Sequence, residues 1–517
     1  MSVGELLNGL ARNPSLPSAL VDRLIAQADD DLGGELAQRA DLSPEQVRAL
    51  AERSESVMLQ LAWDGLLDAA EVDPVRWPEV ALALLDQGLG RDGWAEMLAD
   101  DPDAGRREKL AACPGLPAAV RARLAGDPDL GVVAELAIFT TDSDLLTRLA
   151  GHPHAEVRAG VAVNPAAPPE VLAGLIAVHR GSTGGPLPET CDVCSPFVDD
   201  GDLPPGASCD GTHESVIHSL LARAVDNPAT PADAAAELAE HPSGYVRWPL
   251  AGRPDLPAGA AERLAGDPFP GVRGDLAENP SVPEDLLRRL ATDESRDVRR
   301  RVALNPNVPL DLLGRTSGAE LLPRIAAAGP DEVRQLAGSR DPQLRMLAAE
   351  RRDLPPEIRD RLARDPDAKV VKAVAPHPGL GEDLMREMVS RHGIRVIAKI
   401  AANPDAPPAM LLDLARQAPP AQKVFREVAA RPDAPAEALE ICLTDPRARP
   451  IAAAHPALPV DRIVELLHDA DGSVAAAAAT NPSLPVSEMD RIIDLTPVDP
   501  APVDPAPVDP APIDPAL

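Results

Sequence analysis

Asn-Pro-x-x-Pro returns along this chain at Asn13–Pro17, Asn279–Pro283, Asn305–Pro309, Asn403–Pro407 and Asn481–Pro485. Pro228, Pro254, Pro280 and Pro306 follow at steps of 26 residues, as does Pro378 to Pro404; Pro432, Pro456 and Pro482 then come at 28, 24 and 26. A fixed period in this range is the signature of stacked repeats, each contacting its sequence neighbours. It overrides the prior, from 517 residues, of several globular domains.

The composition agrees with small stacked interfaces. Apolar residues make up 44% and aromatics only 2%, where a large globular core would recruit more rings. The 59 prolines would break helices in their interiors, but they recur at inter-helix positions. A formal net charge of −32 repels phosphate backbones and disfavours nucleic acid as a partner. Met1–Glu5 carries no basic n-region of a signal peptide, and no 18-residue apolar stretch offers a membrane span. Five cysteines, three of them between 191 and 209, do not form a secreted disulfide framework. The expectation is a soluble cytoplasmic protein.

The segment 267–293 shows one unit. Asp267 before Pro268 reads as a helix cap, and Val272, Leu276 and Ala277 share one face. Asn279-Pro280 ends that helix. Pro283 opens a second, with Leu286, Leu287 and Leu290 inward and Glu284, Arg288 and Arg289 outward. Neither piece is long enough to be stable alone, so stacking must fold them. Anchors run from Pro14 through Ala40, Pro114, Thr140 and Pro165, then from Pro228 to Pro482, with weak units at about 54–110 and near Gly329-Pro330. The total is about 18 repeats.

Val157–Pro165 and Val298–Pro306 both read Val-Arg-x-x-Val-Ala-x-Asn-Pro. Followed by x-x-Pro-x-x-Leu-Leu-x-x-Leu-Ala, this pattern resembles the leucine-rich repeat variant family over most of the chain. That family is similar to HEAT and armadillo (HEAT-like, armadillo-like) solenoids. The resemblance implies an all-α, right-handed α-solenoid of short helical pairs in which α and 3₁₀ helices alternate. Most units here are 26 residues, slightly longer than the family's usual repeat, which leaves α or 3₁₀ open for the second element.

Pro165 and Pro228 lie 63 residues apart, where one unit needs 26. The excess carries Cys191, Cys194, Cys209 and His213, spaced C-x2-C-x14-C-x3-H. Three thiolates and an imidazole are a full ligand set for zinc or for an iron–sulfur cluster. A polar loop without a core gains a reason to be ordered when a metal binds it. Cys209-Asp210-Gly211-Thr212-His213 resembles the core of the CDGSH iron–sulfur family, whose three Cys and one His hold a [2Fe–2S] cluster. By that resemblance Cys209 and His213 match the core, although Cys191 and Cys194 are spaced C-x-x-C where the family has C-x-C. No thioredoxin-like context surrounds the C-x-x-C, and Cys113 and Cys442 at repeat positions read as packed apolar residues.

An Arg recurs after the apolar residue of the first helix, at Arg158, Arg247, Arg273, Arg299 and Arg334, with Lys372 as a variant. It reads either as an anion-binding stripe or, preferably, as a ladder pairing with the recurring Asp267, Asp293 and Asp365. His152, His241, His377 and His455 read as turn residues in the Asn slot before Pro. The tail from Pro497 repeats Pro-Val-Asp-Pro-Ala and reads as extended, disordered polyproline II. No Ser/His/Asp set, P-loop or zinc-protease motif is present, so no catalytic residue is assigned.

The sequence thus predicts a repeat arm at 1–180, a Cys-rich metal-binding insertion at 181–213, a second arm at 214–495 and a disordered tail at 496–517. The function expected is a non-catalytic scaffold for protein–protein interaction through a concave solenoid surface. Its metal ligands would be Cys191, Cys194, Cys209 and His213, and its cofactor an iron–sulfur cluster or Zn. The alternative is an iron–sulfur redox or metal-sensing regulator whose cluster controls partner binding. A HEAT-like nucleic-acid binder ranks below both.

Overall fold

A computed structural model of the chain describes residues 3–179, 213–313, 321–417 and 422–495. These residues are helical throughout, with no strand among them. Counting the 3₁₀ turn Ala69–Glu71 as one second helix, the 35 α-helices among the described residues pair into 18 repeats, so the all-α repeat architecture expected from the sequence is what forms. Most of the insertion and the Pro/Asp/Val/Ala tail lie outside the described residues. Contacts divide the chain into two compact units, one made of Met1–Leu61 and Leu411–Leu517 and the other of Ala62–Met410.

The unit at 267–293 shows how each pair is built. The first helix is Pro270–Glu278, with Val272, Leu276 and Ala277 fully buried. The second is Glu284–Leu290, with Leu286, Leu287 and Leu290 at most 1% exposed. Full burial of each such side chain is worth about 1.5–3 kcal/mol. Pro283 sits at the N-cap of the second helix, and its carbonyl accepts from the Leu287 amide at 3.1 Å. That i→i−4 bond makes the second element α-helical. Alternation of α with 3₁₀, implied by the family resemblance, is therefore replaced by α after α in this unit. The 26-residue period leaves a seven-residue second segment, long enough to close full α turns.

Asn279 explains the recurring dipeptide. As the residue before Pro280 it is held extended, at φ −67° and ψ 122°. Its Oδ1 accepts from the Ser281 amide at 2.8 Å, closing the turn. Its Nδ2 reaches back to the preceding repeat and donates to the carbonyls of Ala251 and Arg253, both at 2.7 Å. Asn305 does the same to Ala277 and Asn279, at 3.0 and 2.7 Å. Asn403 donates to Ala375 and His377 at 2.6 and 2.7 Å. These side chains are at most 2% exposed. A buried carbonyl at a helix end needs a donor, and one amide supplies two.

Other donors fill the same slot. Arg39 donates to Ala11 and Asn13 carbonyls at 2.6 and 2.9 Å. Arg253 donates to those of Val225 and Asn227 at 2.6 and 3.1 Å. Gln87 donates to Ala62 and Trp63 at 3.0 Å each, so the weak stretch at 54–110 keeps the rung with a different residue. His377 and His455 occupy the slot too, each bringing Nε2 to a carbonyl of the preceding repeat, Ala349 at 2.7 Å and Arg431 at 2.8 Å.

His152 and His241 do not occupy it. They stand before the first helix, where Asp267 and Asp293 stand in their repeats, and accept through Nδ1 from the amides of His154 and Ser243. Asp267 likewise caps no helix: the N-cap is Phe269, whose amide donates to Asp267 Oδ1 at 2.8 Å. The reason is that Asp267 is committed to an arginine of the repeat before.

Candidate functional site

That arginine is Arg247, which forks onto Asp267 at 2.6 and 3.0 Å while its third nitrogen donates to the His241 carbonyl. Arg273 meets Asp293 at 2.8 and 2.9 Å and Arg345 meets Asp365 at 2.7 and 3.0 Å. Arg107 with Asp127 is a further rung, at 2.7 and 3.0 Å. In each case the carboxylate lies 20 residues on, in the next repeat, and the guanidinium also holds the carbonyl six residues back. Such planar, bidentate pairs are strong and directional. The Arg273 guanidinium holds the Asp293 carboxyl below the usual carboxylate range. Of the arginines named from the sequence, Arg247 and Arg273 pair between neighbours in this way, the reading preferred above. Arg334 is not a rung: it lies in the second helix Pro330–Ala337 and pairs with Asp331, and Arg345 takes the ladder position.

Of the four residues assigned to metal, Cys191, Cys194 and Cys209 lie outside the described residues. His213 is placed. It is fully buried at the N-cap of Glu214–Asp226, with Nδ1 2.8 Å from Ser215 Oγ and accepting from the Val216 amide at 3.4 Å. It thus stands at the start of the first described helix after the insertion and caps it. Among the described residues no group of three His, Cys, Asp or Glu side chains is arranged to hold a metal ion.

The insertion leaves the ladder in register. Asn227 donates to the carbonyls of Ala162 and Asn164 at 2.9 and 2.8 Å, as Asn305 does to its own predecessor. Nearby, His218 and His241 meet edge to face with ring centroids 5.1 Å apart. Burial lowers the pKa of both, and at His241 the charge of His218 lowers it further.

Cys113 and Cys442 are buried, and burial pushes both thiols up to about 12. They are not nucleophiles near neutral pH. An open cleft of about 670 Å³ lies beside the Arg345–Asp365 rung, lined also by Glu357, Asp360, Arg361 and Arg364. Its charges are of both signs.

The feature that sequence reasoning passed over is a set of outward rings. Tyr245, Trp248 and Phe269 are 61%, 45% and 51% exposed, on two successive repeats of a chain with only four Trp, four Phe and one Tyr. Each of two rings lies over a glycine. A Cβ on Gly271 would collide with the Trp248 ring, and one on Gly244 with the Phe269 ring. Trp248 Nε1 donates to Asp275 at 2.7 Å, and the Arg247 guanidinium sits 5.7 Å from the Phe269 centroid. The pairing of aromatics with glycines one repeat away is the signal that could have found them.

No protein-family profile and no curated protein matches this chain. Among solved structures it is similar to a leucine-rich repeat variant with a repetitive structural motif, at 25% identity over 52% of this chain and 99% of that one, TM-score 0.28. It is also similar to a chain of the Pds5–Scc1 complex, at 12% identity over 93% and 87%, TM-score 0.23, and to SYS-1, at 9% over 94% and 100%, TM-score 0.16. TM-scores of this size carry no functional argument, and the repeat assignment rests on the ladders described above. No helix among the described residues is long and apolar enough to cross a membrane.

Proposed function

We propose that this chain is a non-catalytic repeat scaffold that binds a protein partner. The observation carrying this reading is the ring face of Tyr245, Trp248 and Phe269. Tyr and Trp, apolar rings with one polar handle, are residues that anchor protein interfaces, and here Tyr245 and Trp248, with Phe269 beside them, are spent outside the core of a chain poor in aromatics. The ladder arginines, asparagines and aspartates described above serve the stacking of repeats. The surface expected from the sequence is the concave one, and the ring face is where binding is to be sought. Tyr245→Ala removes the most exposed ring. A partner retained by the wild-type protein on affinity purification, and rebuilt from purified components, should bind Tyr245→Ala at least about tenfold more weakly, the cost of a 1.4 kcal/mol contact. Equal affinity would remove this face from the reading.

The same proposal keeps Cys191, Cys194, Cys209 and His213 as a zinc or iron–sulfur site. The unbroken Asn164–Asn227 rung supports a loop that can bind metal without disturbing the stack. The regulatory alternative is favoured by one observation, that His213 caps the helix Glu214–Asp226, so ligation there would act on the helix start. Anaerobic purification decides between them. Brown protein with iron supports sensing, colourless protein with one zinc supports a structural clip, and no metal with unchanged behaviour of Cys191→Ser removes the site.

A further inference from the structure

Within the unit formed by Met1–Leu61 and Leu411–Leu517, the first described repeat stacks on the last. The helix Val3–Ala11 packs against Gly472–Thr480, and Asn13 Nδ2 donates to the carbonyls of Ala479 and Asn481 at 2.9 and 2.8 Å. Asn481 makes the same two bonds to Ala453 and His455, both at 2.8 Å, with the same two-residue offset between acceptors. The second helices repeat the match. Arg23, sixth residue of Ser18–Ala26, pairs with Asp490, fifth residue of Val486–Asp494, and with Asp494 at 2.6 Å. Arg289, sixth of Glu284–Leu290, pairs with Glu262, fifth of Ala258–Leu264, at 3.0 Å. A close backbone approach completes it. A Cβ on Gly9 would collide with the Ala476 carbonyl oxygen, as one on Gly160 would with that of Ala134. Thr480 Oγ1 donates to the Gly9 carbonyl at 3.1 Å.

The last repeat therefore stands to the first as any repeat stands to its successor. We propose that this junction is an exchangeable clasp whose second occupant is another copy of the same chain: the first repeat of one copy seats on the last repeat of the other. Every group the junction uses is present on both copies, so nothing in its chemistry requires the two faces to share a chain. The two faces differ from each other, which makes the contact heterologous, and exchange of an identical element is a low-cost route to a dimer. Connection within one chain gives the intramolecular contact the advantage of effective concentration, so exchange needs high protein concentration or brief warming. The inference does not rest on the partner-binding reading.

A charge-swap pair tests it. Arg23→Glu faces its own Asp490 and Asp494 with like charge, and Asp490→Arg with Asp494→Arg faces its own Arg23 likewise. Across two copies both junctions are again of opposite charge. Warmed together and cooled, the two full-length variants should give a 1:1 species of twice the monomer mass by light scattering, which neither gives alone to the same extent. Two monomer masses at every concentration would overturn the proposal. Should either variant fail to fold by circular dichroism, wild-type copies carrying donor and acceptor dyes decide: energy transfer after warming at high concentration supports the clasp, and its absence overturns it.

Discussion

Removing one rung amide should be among the most damaging single changes in this protein. Asn305 is fully buried and makes three bonds: two from Nδ2, to Ala277 and Asn279 carbonyls, and one at Oδ1 from the Asn307 amide at 2.8 Å. Asn305→Ala abolishes all three without replacing the polar groups they satisfied. At about 1–3 kcal/mol for each buried group left unsatisfied, less what water entering the turn restores, the loss is about 3–5 kcal/mol. The structure supplies its own control. His455 fills the equivalent slot with one bond to the Arg431 carbonyl and one from the Ala457 amide at 3.1 Å, so Asn305→His should retain two of three bonds and lose about 1–2 kcal/mol. Asn305→Asp, which points a carboxylate at two carbonyl oxygens, should be worst. Because repeat arrays unfold piecewise, the readout is amide hydrogen exchange of residues 296–305 alongside denaturant unfolding. Equal stability of the Ala and His variants, or an Ala variant within about 1 kcal/mol of wild type, would refute the reasoning.

Arg273→Ala strands a largely buried Asp293 and should cost about 3–5 kcal/mol, whereas Arg288→Ala, in an exposed pair with Asp311, should cost under about 1 kcal/mol; paired denaturant melts check both. Burial lowers the pKa of His377 to about 4, against about 6.5 in the unfolded chain. The unfolded state then binds the extra proton, so stability present above pH 6.5 falls as pH drops towards 4, by about 3 kcal/mol, and His377→Asn should flatten that part of the pH profile. Native protein treated with iodoacetamide at pH 8 should leave Cys113 and Cys442 unmodified by mass spectrometry. Gly9→Ala, which drives a Cβ into the Ala476 carbonyl, should raise exchange in Val3–Ala11 while leaving Pro270–Glu278 unchanged.

The pairing of helices was legible because prolines punctuate each unit and leucines keep one helical face; Val272, Leu276, Leu286, Leu287 and Leu290 are all buried as that spacing requires. The Asn was legible as a position but not as a chemistry. A turn residue and a bridge to the previous repeat look alike in sequence, and only space shows that Arg39, Gln87 and His455 serve the same carbonyls. Asp267 misled for a related reason, since an Asp before a Pro signals a cap, while its partner Arg247 lies 20 residues back. Period alone says nothing of what covers the outer faces of the first and last units, so the Asn13–Asn481 contact was beyond its reach. Of the candidate metal ligands, only His213 lies among the described residues. Its spacing to the cysteines says nothing of its work as a helix cap.

The bond from Asn227 to Asn164 means that the polypeptide departs and comes home at adjoining steps of one staircase. The rung closes across the point where the detour begins and ends. Such a position tolerates replacement: a small guest protein with neighbouring termini could be spliced there, carried on the scaffold, and leave the stack beneath it as it was.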